Sequence, residues 1–325
     1  MIIFIYFLIL YQDKNVNLED DLFMVEALRT PEERFDDISN FPYKPLYIED
    51  LNGYEGLRMH YIDEGPKDSE EVFLCLHGEP TWAYLYRKMI PVFLKAGCRV
   101  IAPDFFGFGR SDKPVKDEIY TYDFHRNFLI EFIKHLDLKN ITMVGQDWGG
   151  IYGLTLPMEM PDRFKRLLIM NTEIPTFIGD FELSRGFLMF RDMMRGKPDL
   201  KASFLMKGIT PILTKEEIKA YNAPFPDSTY KAGLRMFPML MPDNFDAPGA
   251  DTSRRAAEFL SNNWEGETFM AIGMKDPVLG PPVMERVRKT IRNCSDPYPV
   301  EDASHFVQEW GKEVAKKALE YFKLI

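Results

Sequence analysis

Taken alone, the 325-residue sequence predicts an α/β protein: a mostly parallel central sheet flanked by helices, interrupted by an inserted helical cap. Three observations carry that reading. From Leu57 onward, short apolar runs ending in Gly, Asp or Asn alternate with stretches of helical spacing, as repeated βα units do. Residues 173–263 contain no run resembling a buried strand, yet they are too many for a bare loop. One apolar run also feeds through small-x-Asp-x-small directly into a helix, a turn that leaves its central side chain exposed.

In chain order, residues 1–23 read as an N-terminal extension outside the fold. Met1 to Tyr11 is almost wholly apolar but falls short of the roughly 20 residues a membrane span needs. It also lacks the basic flank and small-residue cleavage site of a signal peptide, while Met24 opens a segment resembling an ordinary protein start. The competing reading is a short anchor at a membrane interface. Residues 24–172 form the first part of the core, with strands at 57–62, 72–76, 99–102, 141–144 and 167–170 and a helix at 122–136. Residues 173–263 form the lid, with helices at 215–221 and 228–237 among its Pro- and Gly-separated patches. Residues 264–325 complete the core with strands at 269–272 and 298–300 and a helix at 309–322.

Composition excludes some functions. With 40 Lys+Arg against 50 Asp+Glu the net charge is -10, so the basic excess that nucleic acid or an anionic membrane calls for is missing. Cys75, Cys98 and Cys294 are odd in number, far apart and without a C-x-x-C pairing, which argues against a disulfide framework or a structural zinc site and for a reducing compartment, the cytoplasm. Neither a metal nor an organic cofactor is expected. The expected assembly is a monomer.

The chemistry centres on Gly145-Gln146-Asp147-Trp148-Gly149. A turn this tight requires glycines on both sides of Asp147, which is then presented at the carboxyl end of the strand. An Asp there is ionised at neutral pH and can displace a leaving group from an sp³ carbon without first losing a proton, giving an alkyl ester of the enzyme. Hydrolysis of that ester needs a general base for water and two N–H donors for the oxyanion. Taken by itself, the motif reads equally well as an Asp capping a helix. His305, after the last strand, is the candidate base, and Asp276, closing the run from Phe269, is its orienting partner, with Glu173 the alternative. His60, His77, His125 and His135 fall where structural roles fit better. The loop His77-Gly78-Glu79-Pro80 can aim the Glu79 N–H at the same point as the Trp148 N–H, forming the donor pair.

At this level of detail the sequence resembles the haloalkane dehalogenases of the α/β-hydrolase superfamily. The likeness runs from about Met24 to Phe322 and includes Leu28-Arg29-Thr30-Pro31, His77-Gly78-Glu79-Pro80-Thr81-Trp82, Gln146-Asp147-Trp148-Gly149-Gly150 and Ala223-Pro224-Phe225-Pro226-Asp227. It implies Asp147 as nucleophile, His305 as base, Asp276 as its partner and the Glu79 and Trp148 amides as oxyanion hole, the Glu79 side chain also helping to hold water. It further implies a small apolar halogenated substrate and a halide held by the Trp148 indole and a second donor from the lid. Here the chain departs from the pattern: Phe190 stands where a lid Trp is expected, leaving Trp264 or a lid Tyr as substitutes. Phe190 and Phe237 are the candidate pocket residues. Two other functions fit the same scaffold: an epoxide hydrolase using Tyr221 and Tyr230 as acids, and a ligand-binding protein without catalysis.

Overall fold

The computed structural model describes residues 25–179 and 181–325. The expected extension at residues 1–23 therefore lies outside the described residues. Eight strands form one sheet: β1 (Leu46–Ile48), β2 (Met59–Glu64), β3 (Val72–Leu76), β4 (Arg99–Pro103), β5 (Ile141–Gln146), β6 (Phe164–Met170), β7 (Glu267–Gly273) and β8 (Tyr298–Val300). Their spatial order is β1-β2-β4-β3-β5-β6-β7-β8, and all run parallel except β2, which is antiparallel to both its neighbours. The predicted strand at 57–62 lies two residues further on, and β1 was absent from the prediction, being too short to show a periodic signal.

The central strands are continuously apolar because both faces are covered. Leu74, Met143 and Leu167 point to one face, packing with Phe128 and Phe132 of α2 (Tyr122–His135). Phe73, Val144 and Leu168 point to the other, against Phe93 of α1 (Ile90–Lys95) and Ala315 and Leu319 of α11 (Gly311–Tyr321). Thr121 opens α2 by accepting the Phe124 N–H, the cap that its spacing from the apolar stripe anticipates.

After β5 come α3 (Trp148–Gly153) and α4 (Leu156–Glu159). Between β6 and β7 the chain forms α5 (Arg185–Gly196), α6 (Ala202–Ile209), α7 (Lys215–Asn222), α8 (Ala232–Leu240) and α9 (Ala250–Asn262). A capping box, with Thr214 and Glu217 each holding the other's backbone N–H, starts α7. The predicted helix at 228–237 is instead a short 3-10 turn, Ser228–Tyr230, followed by α8, because the Asp227 carboxylate caps the turn at Thr229. The last helix, α9, packs against α4 and α10 (Pro281–Thr290), alongside the sheet.

Register sets where the chemistry sits. Leu76 pairs with Gly145, Gln146 with Met170, Met170 with Ala271 and Val300 with Gly273, so five strands end along one edge of the sheet. The turns beyond those ends carry Glu79, Asp147, Asn171, Asp276 and His305. Crevices at the carboxyl ends of parallel strands are where α/β proteins hold ligands.

Candidate active site

Asp147 occupies a backbone conformation that few side chains adopt, with φ 52° and ψ -130°. Its N–H donates to the Asn171 carbonyl at 2.9 Å, and its own carbonyl accepts from Gly150, Ile151 and the Thr172 hydroxyl. Those bonds hold the strained residue in place. The turn closes only because Gly149 lacks a side chain, since a Cβ there would collide with the Leu76 carbonyl. A Cβ on Gly78 would likewise collide with the Asp147 carboxylate. The elbow and the Glu79 loop therefore approach each other as closely as backbones allow.

The Asp147 carboxylate meets a donor on each side. Its Oδ1 accepts the Glu79 N–H at 2.9 Å, and its Oδ2 lies 3.4 Å from His305 Nε2. The Trp148 N–H opens α3 at a position with no intrahelical acceptor, so of the two expected oxyanion donors the Glu79 N–H alone bonds the carboxylate here. His305 Nδ1 is 2.8 Å from Asp276 Oδ2. Asp276 also accepts from the Asn171 side chain at 2.8 Å and from the Val278 N–H at 2.7 Å. Burial opposes ionisation of Asp276, but His305 and these hydrogen bonds outweigh it and hold the carboxyl below its usual range. Burial also disfavours the His305 imidazolium, yet the charge of Asp276 and the hydrogen bonds to Asp147 and Asp276 prevail, and its pKa is pushed up to about 10.

The structure thus brings Asp147, His305, Asp276, Glu79 and Trp148 together. Glu173, the alternative acid, does not join them: its carboxylate pairs with Arg286 and the Ile174 N–H instead. Of the other histidines, His60 binds Asp104, and His77 accepts the Phe105 N–H through Nε2, which leaves Nδ1–H to donate to the Gly78 carbonyl. That bond steadies the Glu79 loop. His125 is buried among aromatic rings.

A cavity of about 410 Å³ opens over Asp147 and His305. Its wall is carbon-rich, with Phe187, Phe190 and Met193 from α5, Phe204, Leu205 and Ile209 from α6 and Val278 from the loop after β7. Phe190 faces it, as the sequence predicts. Phe237 does not: it is fully buried behind the site, its ring edge-on to Trp148 at 5.3 Å, so it backs the indole instead of lining the pocket. Neither proposed replacement for a lid Trp reaches the cavity. The Trp264 indole donates to Thr268 at the amino end of β7, and the Tyr221 hydroxyl donates to Glu309 in a buried ion network.

Two residues of the site escaped the sequence reading. Asn171 links nucleophile and acid, since its carbonyl receives the Asp147 N–H while its side chain holds Asp276 and the Gly273 N–H. Gln146 donates to the His305 carbonyl at 3.1 Å. Both sit at strand ends, Gln146 closing β5 and Asn171 following β6, and that position was the one available signal.

The family model for the alpha/beta hydrolase fold matches residues 71–312. The chain is 42% identical over 303 residues to the haloalkane dehalogenase of Psychrobacter cryohalolentis, covering 91% of this chain and 98% of that protein. It is 39% identical over 300 residues to that of Mycolicibacterium paratuberculosis, with coverages of 91% and 98%. Among solved structures, haloalkane dehalogenase DpaA from Paraglaciecola agarilytica, described as tetrameric, is similar at a TM-score of 0.90 and 53% identity, over 93% of this chain and 100% of that one. DatA from Agrobacterium tumefaciens, at a TM-score of 0.70 and 24% identity over 91% of this chain and 100% of that one, shares the fold.

Proposed function

The chain belongs to the haloalkane dehalogenases of the α/β-hydrolase fold, and on that footing we propose how its own residues cleave a carbon–halogen bond. The reaction is hydrolytic, giving an alcohol and a halide. An Asp147 oxygen attacks the halogen-bearing carbon from the side opposite the halogen, the carbon–halogen bond breaks, and the halide leaves with the electron pair beside the Trp148 indole N–H. The Glu79 N–H stays on Asp147 Oδ1, the oxygen that becomes the oxyanion when water attacks the ester carbon, and the Trp148 N–H at the start of α3 joins it there. His305 Nε2 takes the proton of that water, and Asp276 holds the imidazole in the required orientation and tautomer.

The observation that carries this reading is the placement of Asp147 between the Glu79 N–H and His305 Nε2 at the floor of an apolar cavity. Before alkylation, His305 is an imidazolium paired with Asp147 and Asp276. Esterification neutralises Asp147 and removes one of the two charges that favour the imidazolium, so His305 gives its Nε2 proton up to solvent more readily and becomes the neutral imidazole that takes a proton from the attacking water. An epoxide substrate would need an acidic hydroxyl over the ring oxygen, and neither Tyr221 nor Tyr230 is among the residues lining the cavity.

The substrate class can be narrowed. About 410 Å³ exceeds what a two-carbon dihalide fills, and Met189 and Phe204 extend the apolar wall to the surface, 64% and 61% exposed. Terminal haloalkanes of medium chain length fit, with the halogen at Trp148 and the tail between α5 and α6. We assign residues 24–172 and 264–325 to the core and residues 173–263 to the insertion, whose earlier helices form the lid while α9 packs with the core beside the sheet. The free thiols of Cys75, Cys98 and Cys294 support a cytoplasmic setting. No helix among the described residues is long and apolar enough to cross a membrane. The expectation of a monomer stands against a tetrameric relative, and light scattering of the purified chain decides between them.

Halide release from 1-bromohexane, 1-bromobutane, 1,2-dibromoethane and 1,2-dichloroethane, followed by ion chromatography, tests the proposal. Release by the parent and none by Asp147→Asn is the expected result. Release by both, or by neither, rejects it.

A further inference from the structure

The whole-chain charge of -10 conceals a local reversal. Residues 185–219, which include the two helices that wall the cavity, hold eight Lys or Arg against four Asp or Glu. Three of those acids are already matched: Asp192 pairs with Arg195, Asp199 with Lys231 and buried Glu217 with Arg87. Lys197, Lys201, Lys207 and Lys215 are exposed and have no ion-pair partner among the described residues. Their charge is left facing solvent.

The basic stretch surrounds the mouth of the active-site cavity. Lys201, which caps α6, and Phe204, Lys207 and Gly208 within it are spaced by three to four residues, so they share one helix face, and all four are exposed. Phe204 and Gly208 line the cavity, and a shallow hollow lined by Lys197, Leu200 and Lys201 shares Phe204 with it. From α5, Met189 reaches the same mouth and is as exposed as Phe204, with Leu188 beside it. An apolar patch rimmed by charge marks an interaction surface, because a phenyl ring and a thioether left in water gain by being covered.

We propose that the outer face of α5 and α6 is a docking surface for an anionic lipid bilayer, with Met189 and Phe204 at the head-group boundary, Lys197, Lys201 and Lys207 paired with lipid phosphates, and the cavity mouth turned to the hydrocarbon. Three features select lipid as the occupant. The rim is cationic and unmatched, which calls for an anionic partner, and repulsion from acidic groups elsewhere on the chain is screened within about 8 Å in physiological salt. Lysine stems are long enough for the apolar residues to sink while the ammonium groups stay at head-group level. The patch opens directly on a carbon-lined cavity, so an apolar molecule dissolved in the bilayer enters it without crossing water. The surface adds a source of substrate to the dehalogenase reading and does not depend on it.

The full chain is sedimented with vesicles of phosphatidylcholine alone and of equimolar phosphatidylcholine and phosphatidylglycerol, at physiological ionic strength. The parent is expected to bind the anionic vesicles about tenfold or more tightly than the neutral ones, and the double variant Lys201→Glu, Lys207→Glu to lose about tenfold of that affinity. Phe204→Ala should bind the anionic vesicles roughly threefold or more weakly. Both lysines lie outside the catalytic machinery, so the double variant should release halide from dissolved 1-bromobutane as the parent does, which shows that it is folded. The apolar stretch from Met1 to Tyr11 is common to all these chains and does not account for a difference between them. A parent that binds neither vesicle, or both equally, overturns the proposal, as does a double variant that binds like the parent. Light scattering that finds the parent oligomeric and dissociated by Phe204→Ala, while anionic vesicles leave it in the supernatant, also overturns it and assigns the patch to a second copy of the chain. Vesicle binding is read without turnover, so a parent that released no halide would sink the functional reading and leave this one standing.

Discussion

The two walls of the active-site cavity are held by different forces. The sheet side consists of residues fixed by directional bonds: Asn171 ties Asp147 to Asp276, Asp276 ties down His305, and Gln146 holds the His305 carbonyl. The lid side, α5 and α6, meets the cavity through Phe, Leu, Met and Ile side chains, with Met189 and Phe204 largely exposed at its mouth. Reaction geometry tolerates little displacement, while recognition of an alkyl chain needs only shape and carbon. Directional bonding is accordingly spent where atoms react, and adaptable packing where a tail is accommodated.

The lid is not uniformly loose. Its α7 is clamped to the core by Arg87, which donates to Glu217 of α7 and, through both Nη atoms, to Glu309; the Tyr221 hydroxyl and Lys88 join the same carboxylate. The Trp82 indole adds a bond to the Ala220 carbonyl. At the other end, the Ser184 hydroxyl at the start of α5 donates to the Val278 carbonyl, two residues past Asp276. The lid is thus fastened at α7 and at the beginning of α5, with the cavity-lining stretch between.

Three experiments bear on this contrast, in order of expected effect. His305→Gln should stop the reaction after the ester forms, giving one equivalent of halide, an enzyme heavier by the alkyl group in mass spectrometry, and turnover lowered about 10³-fold. If turnover fell without a halide burst, His305 would not be acting as the base for water. The same residue links stability to pH. Its folded pKa of about 10 lies above its ordinary 6.5, so its contribution is fully present below 6.5 and is lost as pH rises toward 10, and His305→Gln should flatten that part of a urea-stability profile.

Arg87→Met leaves the buried Glu309 and Glu217 carboxylates without their main partner and should cost about 3–5 kcal/mol in urea denaturation. Unchanged stability would show that α7 is fastened by packing alone. Phe204→Ala acts on the adaptable wall and should alter kcat/KM for 1-bromohexane relative to 1-bromobutane by roughly tenfold or less, about 1 kcal/mol, leaving the bromide affinity as it was. A loss shared equally by both substrates would place the tail elsewhere.

How much of this was legible in the sequence follows the same division. The elbow could be read because a tight strand-to-helix turn imposes its requirement locally, at Gly145, Asp147 and Gly149. His305 and Asp276 could be read because each follows a recognisable apolar strand. The lid wall could not, since an apolar residue at helical spacing looks the same whether it faces a cavity or a neighbouring helix: Phe190 and Phe237 gave identical signals, yet one lines the pocket and the other sits behind Trp148. Asn171 was missed for a related reason, because its role depends on β5, β6 and β7 being adjacent, which no local pattern encodes.

That adjacency has one more consequence. The chain leaves the sheet at the end of β6 and returns to it as β7, the neighbouring strand, with α9 bringing it back along the sheet. The strand order would be the same whatever lay in between, provided a helix such as α9 completed the crossover. The inserted segment therefore adds nothing to the strand pairing, and its tie to the core rests on the contacts of α7 and of the start of α5. A change in the cavity's lid wall can thus leave the pairing that places Asp147, Asp276 and His305 as it is.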